Sequence, residues 1–154
     1  IALFERQKVL SKEEVESRYE ILMDEYEKQI NIEALTMLDI AKKDILPAAS
    51  KFSKELTDTI ANKKAIGIDL TYELETAKKV SEYLAEAYQA MMTLENDVKK
   101  LHEIDDFEKS AFYVRDFIIQ DMASLRKPCD ELEVITSNSD WPFPTYGKLL
   151  FGIQ

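Results

Sequence analysis

Glycine is nearly absent from this chain, with three in 154 residues. Proline is scarce too: there are four, and two of them fall in the last fourteen residues. Both residues punctuate turns, so a chain this poor in them has few turns, which disfavours sheets and favours long helices. A single cysteine, Cys129, excludes an intrachain disulfide and leaves the redox compartment open. A single histidine, His102, excludes any metal site built on a histidine cluster. No apolar run approaches the ~18–20 residues of a membrane span. The opening IALFERQKVL has no basic segment ahead of an apolar one, so it does not read as a signal peptide. Basic residues are outnumbered 20 to 30, giving a net charge of −10 and a pI near 4.7. That balance argues against a nucleic acid or an anionic membrane as partner, and fits a cytoplasmic protein with solvated helix faces.

What is present is helix-forming. Hydrophobic residues make up 45% of the chain, and Leu, Ala, Glu and Lys are abundant. The length suits one domain, residues 1–154. Its centre is the stretch Ile32–Lys63. There Leu35, Leu38, Ala41, Ile45, Ala49, Phe52, Leu56 and Ile60 recur every three or four residues, which puts them on one helix face. Pro47 lies inside this stripe without changing its phase, so a kink is expected there rather than a stop. Ala48 and Ala49 permit close approach of a neighbouring helix.

The flanking segments carry start and stop signals. Ser11 followed by Glu14 is a capping-box pattern, predicting a helix from about Lys12 to Gln29 with Val15, Tyr19, Leu22, Met23, Tyr26 and Ile30 inward. Asn31 either caps the central helix or sits inside one continuous helix. Lys63, Lys64 and Gly67 mark its end. Asp69 to Thr71 offers the next N-cap. From Tyr72 to Ile104 a near-heptad seam runs through Leu74, Ala77, Val80, Leu84, Ala87, Tyr88, Met91, Leu94, Val98 and Leu101. Asp105-Asp106 caps a fourth helix striped with Phe107, Ala111, Val114, Ile118, Met122, Leu125, Leu132 and Ile135. Pro128 is expected to kink or split it. The fold class is all-α: an antiparallel bundle of about four long helices. An extended aromatic and proline-rich C-terminal strap, residues 136–154, follows, with Trp141, Phe143, Tyr146 and Phe151 as candidate docking residues.

Catalytic motifs are missing. There is no GxxxxGK[ST], no GxGxxG and no CxxC. A di-iron bundle site needs Glu-x-x-His on two helices, and Lys99 stands three residues before the one histidine. Glu13-Glu14 and Asp105-Asp106 sit at helix starts, where acids cap and complement the helix dipole. Cys129 after Pro128 reads as a small buried residue. No catalytic, cofactor-binding or metal-binding residue is assigned.

Two stretches are family-like: INIEALTMLDIAKKDILP, from Ile30 through Pro47, and WPFPTYGKLLF, Trp141–Phe151. With SRYEILMDEY in the approach segment, they resemble the C-terminal end of type III glutamine synthetases, the large-subunit bacterial form. The resemblance covers essentially the whole chain. It implies a parent enzyme that makes glutamine from glutamate, ammonia and ATP with Mg or Mn, in double-ringed dodecamers. It implies a role in nitrogen metabolism, with the catalytic domain of the same chain and neighbouring subunits as partners. The family's catalytic motifs lie before this region, so no catalytic residue carries over. The fragment is then non-catalytic and supports the catalytic core or oligomer assembly, and Ile1 in place of Met is expected of an excised piece. The alternative is a free-standing helical interaction module, binding a partner helix through the Tyr72–Ile104 seam. A third reading, an enzyme with an unrecognised carboxylate site, requires stoichiometric divalent-metal binding. Titration calorimetry of the chain with Mg²⁺ is expected to show no saturable one-to-one heat, and such a heat would favour that third reading.

Overall fold

The computed structural model describes residues 1–144 and 146–152, and at 146 and 147 the backbone alone. All regular elements among these residues are helical, as the composition requires. Helix α1 is Ala2–Arg6. Helix α2, Lys12–Ile40, begins with the expected capping box: Ser11 Oγ accepts from the Glu14 N–H at 3.2 Å, and Glu14 Oε2 accepts from the Ser11 N–H at 2.7 Å. It passes Asn31 without a break, runs through a π-helical turn at Ala41–Ile45 and continues as α3, Leu46–Ala65. The first and central segments are therefore one continuous helix.

The π turn falls where Pro47 disturbs the ladder. Proline has no N–H and its ring would collide with the carbonyl four residues earlier, that of Lys43. A widened turn relieves this, with the Leu46 N–H bonding back to the Ala41 carbonyl. Helix α3 ends in a Schellman motif. The Ile68 N–H bonds the Lys63 carbonyl at 3.2 Å, the Gly67 N–H bonds the Lys64 carbonyl at 3.4 Å, and Gly67 takes φ 71°.

Helix α4, Thr71–Leu101, starts from Leu70 without a side-chain cap, while the Thr71 hydroxyl donates to Asp69 at 2.9 Å. A Lys63–Glu73 ion pair closes the turn between α3 and α4. Helix α5, Phe107–Tyr113, is capped by Asp106, whose carboxylate accepts from the N–H groups of Glu108 and Lys109. A second π turn, Val114–Ile118, joins it to α6, Ile119–Ile135, which carries Pro128 without splitting.

These elements make an up–down–up arrangement. Lys42 pairs with Glu95 at 2.7 Å and Asn31 meets His102, so α4 runs back along α3 and α2. The α5–α6 arm returns beside α4, its start anchored to α2 by the Tyr19 hydroxyl on Glu108 at 2.9 Å. The core lies where the three arms overlap. Val80, Leu94, Leu101, Val114, Ile118, Leu125 and Leu132 are fully buried, each stabilising by about 1.5–3 kcal/mol.

The first stripe is only partly buried. Ala34, Leu38, Ala41, Ala49 and Leu56 lie in the core, but Leu35 is exposed, because Ala34 turns inward beside Leu38. Tyr19, Leu22 and Tyr26, expected to face inward, are also exposed, although Tyr19 meets Phe107 and Glu108 of α5.

The C-terminal segment differs from the expected extended strap. After α6 a turn follows, with the Asp140 and Trp141 N–H groups on the Ser137 carbonyl, tied to α3 by Lys51–Asp140 at 2.7 Å. Tyr146–Phe151 then forms a short helix, α7. Glycine and two leucines follow the prolines here, and nothing in that run forbids a helical turn. Positions 145, 153 and 154 of the expected strap lie outside the described residues.

Two left-handed positions give a matched prediction. Gly67 has open space around its absent Cβ, so Gly67→Ala is expected to cost about 1 kcal/mol through backbone strain alone. Lys8 takes φ 53° at the end of α1, and Lys8→Gly is expected to be neutral or stabilising by up to about 1 kcal/mol. Denaturant unfolding of the two variants checks both signs.

Candidate functional site

Three features could carry function, and each is set by helix packing. The first is a groove of about 540 Å³ between α2 and α6. Ile32, Met37, Ile40 and Ile45 form one wall, and Met122, Leu125 and Cys129 the other, with Glu33, Arg126 and Asp130 at the rim. The first π turn contributes Ala41 and Ile45 to it. Arg126 pairs with Asp130 at 3.3 Å, one turn on along the same helix. Cys129 is buried, as expected, and burial followed by the nearby Asp130 charge pushes its thiol up to about 11. A thiol in that state is a poor nucleophile at neutral pH.

The second feature is a carboxyl pair across the α4–α6 contact. Asp97 is buried on α4 between Leu94 and Val98; it accepts from Lys100 at 2.5 Å and faces Asp121 of α6 and Tyr113 of α5. Burial works to raise the Asp97 pKa, but hydrogen bonds from Lys100, Asp121 and Tyr113 outweigh it, and the carboxyl stays below its ordinary value. Asp121 goes the other way. Burial, then its contact with Asp97, pushes it up to about 6. One Asp121 oxygen is buried with no partner. Two facing carboxyls hold a proton more readily than either alone, and Lys100 beside Asp97 opposes this. Burial and Asp97 also raise Tyr113. This is a structural proton site, and it lies outside the groove.

The third feature is the α2–α4 face around His102. His102 is the C-cap of α4, and its Nε2 lies 3.1 Å from Asn31 Nδ2. Glu95 accepts from both Lys42 and Lys99, so the cations on this face are already paired, and those two contacts hold Glu95 below its ordinary value. No group of three or more His, Cys, Asp or Glu side chains among the described residues is placed to hold a metal ion. Among the same residues no helix is long and apolar enough to cross a membrane.

The proposed docking aromatics differ in exposure. Trp141 packs against the core and meets Phe143 edge-on at 6.3 Å, leaving its indole N–H buried without a partner. Phe143 is at the surface, and Phe151 is 74% exposed. The Tyr146 side chain lies outside what is described. The sequence reading missed the carboxyl pair, although a signal existed: Asp97 is three residues after Leu94, and Asp121 three after Ile118, so both lie on apolar seams. It also missed the groove, which needs the relative placement of two helices.

Residues 1–64 match a family profile described as the glutamine synthetase C-terminal domain. Over its whole length the chain is 35% identical to a glutamine synthetase of Butyrivibrio fibrisolvens, spanning 22% of that protein. It is 30% identical over 98% of its length to a type-3 glutamine synthetase of Dictyostelium discoideum, and 24% identical over 94% to a glutamine synthetase of Bacteroides fragilis. In each of these two it spans 21% of the relative. The chain thus spans about a fifth of the length of these relatives.

The raised Asp121 generates a pH prediction. A carboxyl whose folded value lies above its unfolded value favours folding while protonated, so its contribution is full below about pH 4 and is lost as pH rises through about 6. Asp121→Asn removes that loss by keeping a neutral donor beside Asp97. Its stability is expected to rise at pH 7 relative to the parent by about 1 kcal/mol, with a flatter profile between pH 4 and 7 in thermal unfolding.

Proposed function

This chain belongs to the glutamine synthetase C-terminal-domain family, and on that premise we propose that it is a non-catalytic helical domain holding the catalytic part of its own polypeptide in working order. The observation that carries the proposal is the match along essentially the whole chain to two named glutamine synthetases, each about five times as long. The parent enzyme joins ammonia to glutamate at the expense of ATP, in the cytoplasm, with Mg or Mn. The residues described here do not fit either group: they offer no metal cluster, and three glycines provide no phosphate-cradling loop. ATP and metal belong to the rest of the polypeptide.

Support acts through surface rather than chemistry. The exposed apolar side chains Ile21, Leu22 and Ile32 on α2, and Leu149, Leu150 and Phe151 on α7, give the domain more than one face to bury. Phe143, Tyr146 and Phe151 dock against a neighbouring subunit in this reading, while Trp141 anchors the segment to its own bundle. The unit 1–154 acts as one domain, and residues from 136 onward serve as its docking arm.

Full-length enzyme tests both parts. Deleting the residues that correspond to 1–154 is expected to abolish assembly and reduce glutamine synthesis at least tenfold; unchanged activity and assembly would overturn the supporting role. Phe143→Ala with Phe151→Ala is expected to shift the assembly toward smaller species in sedimentation while each subunit stays folded. Sedimentation unchanged from the parent would remove the docking arm.

A further inference from the structure

We infer that the groove between α2 and α6 seats a segment of the catalytic part of the same polypeptide, one that presents apolar side chains flanked by basic residues. The inference rests on the supporting role proposed above and names the surface through which it acts.

The groove walls are apolar and adaptable. Each wall contributes a methionine, Met37 from α2 and Met122 from α6, and unbranched methionines fit an irregular guest better than branched residues do. The volume, about 540 Å³, lies in the range of clefts that take a bound group. Ile32 at the mouth is 64% exposed, so an apolar side chain of the groove is open to a guest.

Size decides between a free partner and a tethered one. A stable complex between separate proteins buries about 1,200–2,000 Å² in total. A groove that takes a few side chains falls well short of that. A segment joined covalently needs far less contact, because tethering supplies an effective concentration in the millimolar range. The relatives provide such a tether: about four fifths of their chain lies outside the part matched here.

Charge selects the flanks of the guest. The domain carries −10, and the rim has two carboxylates, Glu33 and Asp130, against one guanidinium already paired with Asp130. Basic residues beside the apolar anchor complement that rim, and acidic ones are repelled.

The test uses full-length enzyme with a photo-crosslinking amino acid at Thr36, on the groove rim, and a control at Lys64. Enzyme is assembled from a mixture of isotopically light and heavy subunits. The expected result is a crosslink from position 36 to a peptide outside 1–154 in which both halves carry the same label. Mixed labels would place a neighbouring subunit in the groove, and a yield no higher than at position 64 would leave it empty or holding a small molecule; either overturns the inference. Ile32→Asp, at an exposed position that leaves the bundle folded, is expected to lower activity at least tenfold, and parental activity counts against the inference. If domain deletion abolishes activity while Ile32→Asp and the crosslinks show nothing, the supporting role stands and the groove assignment falls. If deletion itself has no effect, the supporting role falls.

Discussion

The seam of α4 is the interaction on which the other elements depend. Val80, Ala87, Leu94, Val98 and Leu101 are buried along one side of this helix. It packs against both other arms, with α3 and α2 on one flank and α6 on the other. The helices it joins are long, and helices in water are stabilised more by packing of an apolar face than by propensity. Removing one of those side chains would leave a cavity between two arms at once, in the range of about 2–5 kcal/mol for a buried leucine. The carboxyl pair sits in this same seam. Burial there opposes ionisation, and Asp121 keeps its proton up to a pH of about 6, while the hydrogen bonds of Asp97 hold that carboxyl below its ordinary value.

The two π turns are the second constraint. Each lets a helix change register by one residue without ending, so the apolar stripe stays on the core side across a disturbance. The first has an evident cause in Pro47, and its inner residue Ala41 is buried. The second, at Val114–Ile118, buries both of its ends and stacks Tyr113 on Phe117 at 4.7 Å. It has no proline within its reach, and Pro128 sits farther along α6 with no π turn beside it. Proline alone therefore does not dictate where the ladder opens.

Much of the fold was legible because its signals are local. The Ser11–Glu14 box, the Gly67 stop and the Asp106 cap are properties of a few neighbouring residues, and all three are in the structure. The seams from Val80 to Leu101 and from Ala111 to Leu132 were legible because period alone selects one face. The exposed end of α2 was not, since Leu22 and Tyr26 have the right spacing yet stay exposed; periodicity reports which face is apolar, never how fully it is covered. The groove was not, because its walls come from segments some ninety residues apart whose relative height depends on the π turn between them. The family was readable from two short stretches, and comparison with longer synthetases bears that out.

The unbroken helix from Lys12 to Ala65 has a mechanical consequence. At 1.5 Å per residue it is about 80 Å long, longer than either arm packed beside it. Its contacts run from Tyr19 on Glu108 of α5, through Asn31 beside His102, to Lys63 on Glu73 of α4. A rod held at points along most of its length does not pivot about one of them. It bends where its own ladder is loosened, and the widened turn at Ala41–Ile45 is such a place. A change of a few degrees there moves the Lys12 end by about 2–3 Å, comparable to the helix shifts by which subunits signal to one another.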